Sequence, residues 1–256
     1  MTRTAAIHTS LLSLACSAWL LVACSPAPTA TPDTAEPGTA APQPDAAAGT
    51  DAPASDEAGF VPLFDGATLA GWHLYRKPGA PVSGWSVVDG VLTRTAASGD
   101  LISDRAFGDF DLRFEWKISP GGNSGVFYRA AEDEEAAYWT GIEYQILDNE
   151  RHPDGRNGPD RHAAAVYGMY APDGARTVPV GEWNQGRIVA RGAHVEHWLN
   201  GVKVADYELW TPEWKARVAQ TKFKDWPRYG MLPKGHIGLQ DHGDEVSYRN
   251  IRIKEL

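Results

Sequence analysis

Ionisable side chains gather around one short segment, EYQIL (residues 143–147), and in the turn that follows it. Period-two alternation turns the apolar side chains to one face of a strand and Glu143 and Gln145 to the other. Asp148 ends the segment, and His152 lies in the loop beyond. A carboxylate or a histidine in such a place can accept a proton or bind a metal ion. We therefore take Glu143 and His152 as candidate catalytic residues and Gln145 as a candidate substrate-binding residue.

Asp148 and His152 are also the candidate ligands of a divalent metal ion, whose identity the sequence leaves open. Two structural explanations remain open beside these roles. Glu143 suits a sheet-face ion pair, and the loop around His152 suits a solvated turn punctuated by Pro153 and Gly155.

A second group of polar residues follows the segment GHIGL, at His236, Gln240, Asp241 and His242. Strand alternation places His236 and Gln240 on one face, joined by His242 if the strand continues. His236 and His242 would then stand about 20 Å apart, too far to share one metal ion unless the chain bends. We expect His242 to reach the reacting centre, with His236, Gln240 and Asp241 as candidates for substrate binding. The alternative is that Asp241 and His242 cap a hairpin.

Two cations complete the candidate set. Arg129 shares a strand face with Phe127, and Lys222 lies in a long irregular stretch. Both suit the binding of an anion, and surface ion pairs are the alternative for each. Asn123 lies at the entry to the strand that contains Arg129.

The elements that must position these residues are strands. The segment Asp109–Ile118 alternates apolar and charged residues over ten positions, which predicts a strand with one buried face. Asp89-Gly90 and Asn200-Gly201 each join two apolar runs, as in two-residue hairpins. Further strands are predicted at Ser124–Arg129, Gly141–Leu147, Gln185–Arg191, His236–Gln240 and Val246–Ile253, and one short helix at Pro212–Ala219. This pattern is typical of an all-β antiparallel sandwich. The long irregular stretches 149–165 and 210–234 are expected to carry function.

Composition excludes several classes of protein. The net charge of −9 argues against a nucleic-acid partner, which requires a basic face. Both cysteines, Cys16 and Cys24, precede the predicted domain, so a disulfide framework, a zinc–thiolate site and a cysteine nucleophile are excluded there. No GxGxxG follows a strand and opens a helix, so we expect no nicotinamide or flavin cofactor.

The N-terminus resembles a lipoprotein signal. Residues 1–24 hold Arg3 and an apolar run that ends in Leu-Val-Ala-Cys24, which resembles a bacterial lipobox, and Cys24 is the predicted lipidation site. Residues 25–59 contain seven prolines, six acids and no Lys, Arg or aromatic residue, which predicts a disordered linker. We expect residues 60–256 to form a domain held at the cell envelope, at the outer membrane or in the periplasm. The alternative is an ordinary signal peptide.

Several segments of residues 60–256 together resemble a known family. They are LFDGATLAGW (63–72), WSVVDGVL (85–92), GNSGVFYR (122–129), EYQILDNERHPD (143–154), GEWN (181–184), WLNGVKV (198–204) and GHIGLQDHGDEVSYRNIRIKEL (235–256). Their order and spacing are similar to those of the bacterial 3-keto-disaccharide hydrolase family. The resemblance implies a jelly-roll sandwich of the concanavalin A-like lectin and glucanase type. One segment, RHAAAVYGMY (161–170), departs from the family pattern, because Gly168 stands where an acid is usual, and no role is carried onto it.

The resemblance implies cleavage of glycosides whose C3 hydroxyl has been oxidised to a ketone. Such a reaction removes the C2 proton, stabilises an enolate and expels the C1 substituent, with or without later hydration. Glu143, His152, His242 and Lys222 would supply this chemistry, a divalent metal ion could assist it, and Asn123 and Arg129 would bind the substrate.

Two alternatives differ in class. A non-catalytic carbohydrate-binding module can use the same sandwich, because a fold does not determine a function. An ordinary retaining glucanase requires two carboxylates about 5–5.5 Å apart. The sequence disfavours this activity, since no E-x-D-x-x-E spacing occurs, and Glu143 and Asp148 are expected to face opposite ways. The sequence makes no prediction of the oligomeric state.

Overall fold

The computed structural model describes residues 57–256, which form strands, one α-helix and short 3₁₀ helices. The strands are β1 (Val61–Pro62), β2 (Trp72–Leu74), β3 (Trp85–Val88), β4 (Val91–Arg94), β5 (Leu101–Phe107), β6 (Phe110–Ile118), β7 (Asn123–Ala130), β8 (Ile142–Leu147), β9 (Asn184–Arg191), β10 (His194–Leu199), β11 (Val202–Glu208), β12 (Gly235–Leu239) and β13 (Val246–Glu255). The helix α1 covers Pro212–Val218. The 3₁₀ helices cover Ala137–Trp139, Pro153–Asn157, Pro159–Arg161 and Lys222–Asp225.

The strands form two antiparallel sheets. The larger sheet has the order β11-β10-β9-β6-β13-β4-β3, with β1 paired to β13, and the smaller has the order β2-β5-β12-β7-β8. Apolar residues from both sheets enclose one core between them. Across it, the rings of Phe114 in β6 and Tyr144 in β8 meet edge to face, 5.3 Å apart. The predicted all-β antiparallel sandwich is confirmed.

Local sequence signals account for most of the elements. The five apolar positions of β6 are all buried, as its alternation predicts. Asp89 and Asn200 adopt φ values of 50° and 49°, each followed by a glycine with positive φ, as the hairpin turns require. The helix α1 begins after Thr211, whose side chain accepts the Trp214 N–H at 3.1 Å. The predicted strands agree with the observed ones to within two residues at each end.

Three strands were not predicted from the sequence. The strands β1 and β2 are two and three residues long, too short to show a period. The strand β5 does not alternate, since three consecutive buried residues are followed by two exposed ones. Its middle departs from regular pairing with β12. These strands depend on partners far along the chain, so short windows of sequence carry no signal for them.

The ordered domain begins before the predicted boundary at Phe60. Glu57, which was assigned to the linker, pairs with Arg252 of β13 at 2.9 Å. The backbone oxygen of Ala58 accepts a hydrogen bond from Lys254 at 2.9 Å. The last linker residues therefore belong to the sandwich, because their contacts lie on the C-terminal strand. The predicted signal segment, the lipidation site Cys24 and linker residues 25–56 lie outside the described residues.

None of the helices described within residues 57–256 has both the length and the apolar character needed to cross a membrane.

Candidate active site

The candidate site lies on the outer face of the smaller sheet. Along β8, Tyr144 and Ile146 enter the core, and Glu143 and Gln145 point the other way, as the alternation predicts. The neighbouring strand β7 places Asn123 near the same end of the sheet, opposite Leu147. All six residues of β8 are buried, because loops cover this face of the sheet.

A glycine on β7 makes room for the Glu143 side chain. Gly125 pairs with Gln145, and Phe127, two residues further along β7, pairs with Glu143. A Cβ on Gly125 would lie 2.4 Å from Glu143 Oε1, well inside van der Waals contact. The missing side chain therefore lets the Glu143 carboxyl lie across β7.

A pocket of about 180 Å³ opens above these residues. Six of its eight lining side chains were predicted as site residues: Asn123, Glu143, Gln145, Lys222, Gln240 and His242. The other two, Tyr138 and Tyr167, were not predicted. The pocket thus combines a carboxyl, an ammonium, an imidazole, three amides and two phenols.

Glu143 is a buried acid with an unusual proton affinity. Burial raises the pKa of Glu143 to about 8, and the positive charge of Lys222 opposes that rise. The negative charges of Asp100 and Asp154 add smaller increases in the same direction. A carboxyl that titrates close to neutral pH is suited to taking up and giving back a proton.

Lys222 is the cation of the pocket. It begins the 3₁₀ helix Lys222–Asp225, whose Phe223 ring stacks on Tyr229 with centroids 3.9 Å apart. The Lys222 ammonium lies 4.6 Å from the centre of the Tyr167 ring and 5.9 Å from that of Tyr138. Loss of water lowers the pKa of Lys222, while the charge of Glu143 acts in the opposite direction.

Tyr167 reaches the pocket through an added strand-like contact. Its N–H donates to the Glu143 backbone oxygen at 3.1 Å, alongside the outer edge of β8. Its hydroxyl donates to Asp154 at 2.8 Å. Burial raises the pKa of Tyr167 to about 12, so the phenol stays protonated. No local signal marked this residue, because its position follows from long-range pairing with β8.

Two histidines and a carboxylate meet beside the pocket. Ligand atoms of His152, His242 and Asp244 all lie within 4.8 Å of one another, and the two imidazole rings are 6.0 Å apart. Burial lowers the pKa of His242, and the nearby His152 lowers it further. The neutral ring is the form that binds metal ions. Two imidazoles and one carboxylate also match the preferences of first-row divalent cations, so these residues fit such an ion.

Several polar atoms around the pocket have unused hydrogen-bonding capacity. Asn123 Oδ1, Gln145 Nε2 and Gln240 Oε1 are buried and have no partner among residues 57–256. Buried polar atoms are normally paired, so these two acceptors and one donor suit the hydroxyl groups of a bound molecule.

Arg129 lies away from this pocket. It adopts a φ of 52°, and between His236 and Gly238 the ladder with β12 shifts register, so β7 is irregular at this point. Its guanidinium donates to the backbone oxygens of Gly108 and Gly192 at 3.1 and 2.9 Å. The prediction that Arg129 and Phe127 share a strand face is therefore wrong. The irregular backbone turns the Arg129 side chain towards the backbone oxygens of Gly108 and Gly192.

His236 and Asp241 are also engaged elsewhere. His236 Nδ1 lies 2.7 Å from the Ser103 backbone oxygen, and the same register shift separates His236 from Gln240. Asp241 pairs with Arg94 at 2.7 Å and accepts the N–H groups of Ser98 and Gly99. These contacts leave neither side chain in the lining of the pocket.

Asp148 is occupied by the turns at the end of β8. Its carboxylate accepts the N–H groups of Gly121, Glu150 and Arg151. Among residues 57–256, the group of three ligand-type side chains that contains His152 includes His242 and Asp244 and not Asp148. Within the described residues, Asp244 takes the place that Asp148 was expected to fill. Asp244 lies two residues after His242 in the sequence, which was a signal for a carboxylate near that histidine. Its contact with His152 depends on the turn after β12.

Comparisons with known proteins show which family the chain belongs to. Residues 59–254 match the family model of the 3-keto-alpha-glucoside-1,2-lyase-like domain. The chain is 38% identical over 232 residues to a 3-keto-disaccharide hydrolase of Bacteroides thetaiotaomicron, covering 78% of this chain and 80% of that protein. 

Two solved structures are similar in fold. Both come from candidate glycosyl hydrolases of Parabacteroides distasonis, with TM-scores of 0.72 and 0.61 and identities of 33% and 29%. Each match covers 77% of this chain, and it covers 94% of the first solved structure and 99% of the second. Because the family match extends over nearly the whole described sandwich, the chain belongs to the 3-keto-alpha-glucoside-1,2-lyase-like domain family.

Proposed function

We propose that this domain cleaves glycosides whose sugar ring carries a ketone at C3, by removing the C2 proton and expelling the C1 substituent. The family membership and the name of the Bacteroides relative support a glycoside-acting enzyme. One observation carries the mechanism: the buried Glu143 carboxyl has a pKa of about 8 and shares its pocket with the Lys222 ammonium.

The ketone makes the C2 proton acidic, and Glu143 in its carboxylate form takes that proton. The electrons of the C2–H bond pass into an enolate, whose oxygen the Lys222 ammonium stabilises. The enolate then re-forms the ketone as the C1–O bond breaks and a C1–C2 double bond forms. Glu143 returns its proton to the departing oxygen, and addition of water across the double bond gives net hydrolysis.

The amides around the carboxyl would hold the sugar. Asn123 and Gln240 each offer an unpaired oxygen, and Gln145 offers an unpaired amide nitrogen. Together they suit hydroxyl groups that both donate and accept hydrogen bonds. This arrangement would fix the C2–H bond against the Glu143 carboxyl, where orientation contributes strongly to rate.

His152, His242 and Asp244 would hold a divalent cation at the edge of the same pocket. When bound, such an ion supplies Lewis-acid stabilisation of a developing oxyanion. The Asp244 carboxylate also accepts the Asn123 N–H at 3.0 Å, which ties this group to the start of β7.

The placement of the domain in the cell is a further part of the proposal. We infer that Cys24 carries a lipid anchor and that residues 25–56 form a spacer between the membrane and the sandwich. The apolar run before Cys24 and the proline-rich composition after it support this assignment. The enzyme would then work in the bacterial cell envelope, at the outer membrane or in the periplasm.

The test compares a 3-keto glucoside with its unoxidised parent. We expect cleavage of the ketone alone, a slower reaction when C2 carries deuterium and proton transfer limits the rate, and solvent deuterium at C2 of the hydrated product in heavy water. A control without enzyme measures background exchange beside the ketone. Retention of the C2 proton through complete turnover would contradict the elimination. Cleavage of neither compound, with sugar binding retained, would instead indicate a carbohydrate-binding module.

A further inference from the structure

A second, smaller pocket lies beside the one that contains Glu143. It has a volume of about 140 Å³ and is lined by Glu134, Trp139, Asp225, Trp226, Pro227 and Arg228. The two pockets share no lining residue. None of the chemistry derived above uses the second pocket.

Two 3₁₀ helices supply both pockets. In Ala137–Trp139, Tyr138 lines the Glu143 pocket, and the next residue, Trp139, lines the second pocket. In Lys222–Asp225, Lys222 lines the first pocket, and Asp225 at the other end lines the second. The two pockets are therefore neighbours held by the same short elements.

One aromatic contact joins the linings of the two pockets. The Tyr138 ring meets the Trp226 ring edge to face, with centroids 5.2 Å apart. A residue that lines the first pocket therefore contacts a residue that lines the second. Pockets with linings in contact suit two linked units of one substrate.

The lining of the second pocket has the chemistry of a sugar site. The indoles of Trp139 and Trp226 stack with centroids 5.8 Å apart and planes inclined by 15°, and both side chains are half-buried. Stacked aromatic rings offer flat apolar surface that matches the C–H face of a sugar ring. Trp139 Nε1 is buried and has no acceptor among the residues that the structure describes. This N–H can therefore donate a hydrogen bond to a hydroxyl group of a ligand.

The charges around the pocket disfavour other ligands. Arg228 is neutralised by Asp133 and Glu134, at 2.8 and 3.0 Å. Asp225 adds a further carboxylate, so the lining carries no excess positive charge to attract an anion. The charged groups also make a purely apolar ligand a poor fit, whereas an uncharged polyhydroxylated ring satisfies both the indoles and the polar rim.

We propose that the Trp139–Trp226 pocket binds the leaving-group sugar of the substrate, next to the 3-keto ring in the Glu143 pocket. This inference rests on the proposed function, and it assigns the residues by which the protein would favour disaccharides over glycosides with small leaving groups. The leaving sugar would be positioned by indole stacking, while the chemistry remains at Glu143.

The experiment measures kcat/KM for two substrates that share the same 3-keto glucosyl unit. One carries a methyl group and the other carries a second sugar at C1. We expect Trp139→Ala to lower the preference for the disaccharide about three- to tenfold, the range expected from loss of one aromatic contact. Trp139→Leu, which keeps more apolar volume, guards against a folding defect, and thermal melting checks both variants.

Trp183→Ala is the matched control. The Trp183 indole is also half-buried and lies against cations, with Arg249 4.2 Å and Lys117 5.0 Å from its ring centre. It lines neither pocket, so its loss should leave the substrate preference unchanged.

Each outcome separates this inference from the proposed function. If the native protein cleaves neither substrate, the proposed function fails. If it cleaves both and the Trp139 variants lower both rates equally, or change neither, the sugar subsite is refuted. A reduced disaccharide preference in folded Trp139 variants, absent from Trp183→Ala, supports the subsite.

Discussion

Glu143 and Lys222 line one pocket and act on each other's pKa in the directions expected for opposite charges. Burial opposes that mutual effect, because it raises the pKa of the carboxyl and lowers the pKa of the ammonium. The pKa of about 8 that results for Glu143 places its proton exchange close to neutral pH. The pocket therefore combines a proton acceptor with a cation that can stabilise the charge created by that proton transfer.

The pH dependence of turnover follows from this pair. If the carboxylate form of Glu143 takes the C2 proton, kcat/KM should rise with pH and level off above about 8. Glu143→Gln should lower turnover by about 10²–10⁴-fold and remove this dependence. Glu150→Gln, at an exposed acid of the nearby loop, is the control. A native profile that falls between pH 6 and 8 would show that the protonated acid is the active form.

The free energy of unfolding should fall as the pH rises, whereas kcat/KM should rise. Between pH 4.5, the ordinary pKa of a glutamate, and about pH 8, Glu143 keeps its proton in the folded protein but has lost it in the unfolded chain. The contribution of this group is thus fully present below pH 4.5 and is lost as the pH rises, by at most about 1.4 kcal/mol per pH unit. Denaturant unfolding of the native protein and Glu143→Gln at pH 5.5 and 8 measures the effect. An unchanged difference between the two proteins at both pH values would contradict it.

Gly125→Ala should displace the Glu143 carboxyl. The added Cβ would meet Glu143 Oε1 at 2.4 Å, so the acid must move away from its position over β7. A shift of about 1 Å in a reacting group can cost about 10²-fold in rate. Gly108→Ala, where the nearest atom to an added Cβ is 3.7 Å away, is the control. Full activity in Gly125→Ala would show that the reaction does not depend on this placement of the carboxyl.

Cation binding should depend on His242 and Asp244. Elemental analysis of the purified domain, with titration by Mn²⁺ or Zn²⁺ after chelation, should show a site that His242→Ala or Asp244→Asn weakens. Loss of a residue that only supports a metal ligand typically lowers affinity by about 10–100-fold, so loss of a ligand itself should lower it at least as much. His194→Ala is the control, because it belongs to the other cluster of ligand-type side chains among residues 57–256. Equal cation binding by the native protein and His242→Ala would remove this group as the site.

The N-terminal assignment has its own test. Cys24→Ser should release the protein from membranes, because the lipid attached to that sulfur is the proposed anchor. A chain that starts at Asp56 keeps the contacts of Glu57 with Arg252 and should remain folded. Membrane retention of Cys24→Ser would contradict the anchor, and an unfolded shortened chain would contradict the spacer.

The sequence alone determined the sandwich and the face of β8 that lines the candidate pocket. Alternation over β6 and β8 depends only on the period of a strand, and hairpin turns such as Asn200-Gly201 depend on local backbone preference. The resemblance across many segments points to the family, and the sequence predicts six of the eight residues that line the pocket. These signals are available in short windows, because they depend on neighbours in the chain.

Only the tertiary structure decided which polar residues meet. The irregular backbone at Arg129 carries its guanidinium to Gly108 and Gly192, although strand alternation favoured the site face. Tyr167 reaches the pocket by pairing with the edge of β8, and the turn after β12 brings Asp244 to His152. Such placements depend on register shifts and on contacts between distant segments, and a pattern of neighbouring residues does not encode either of them.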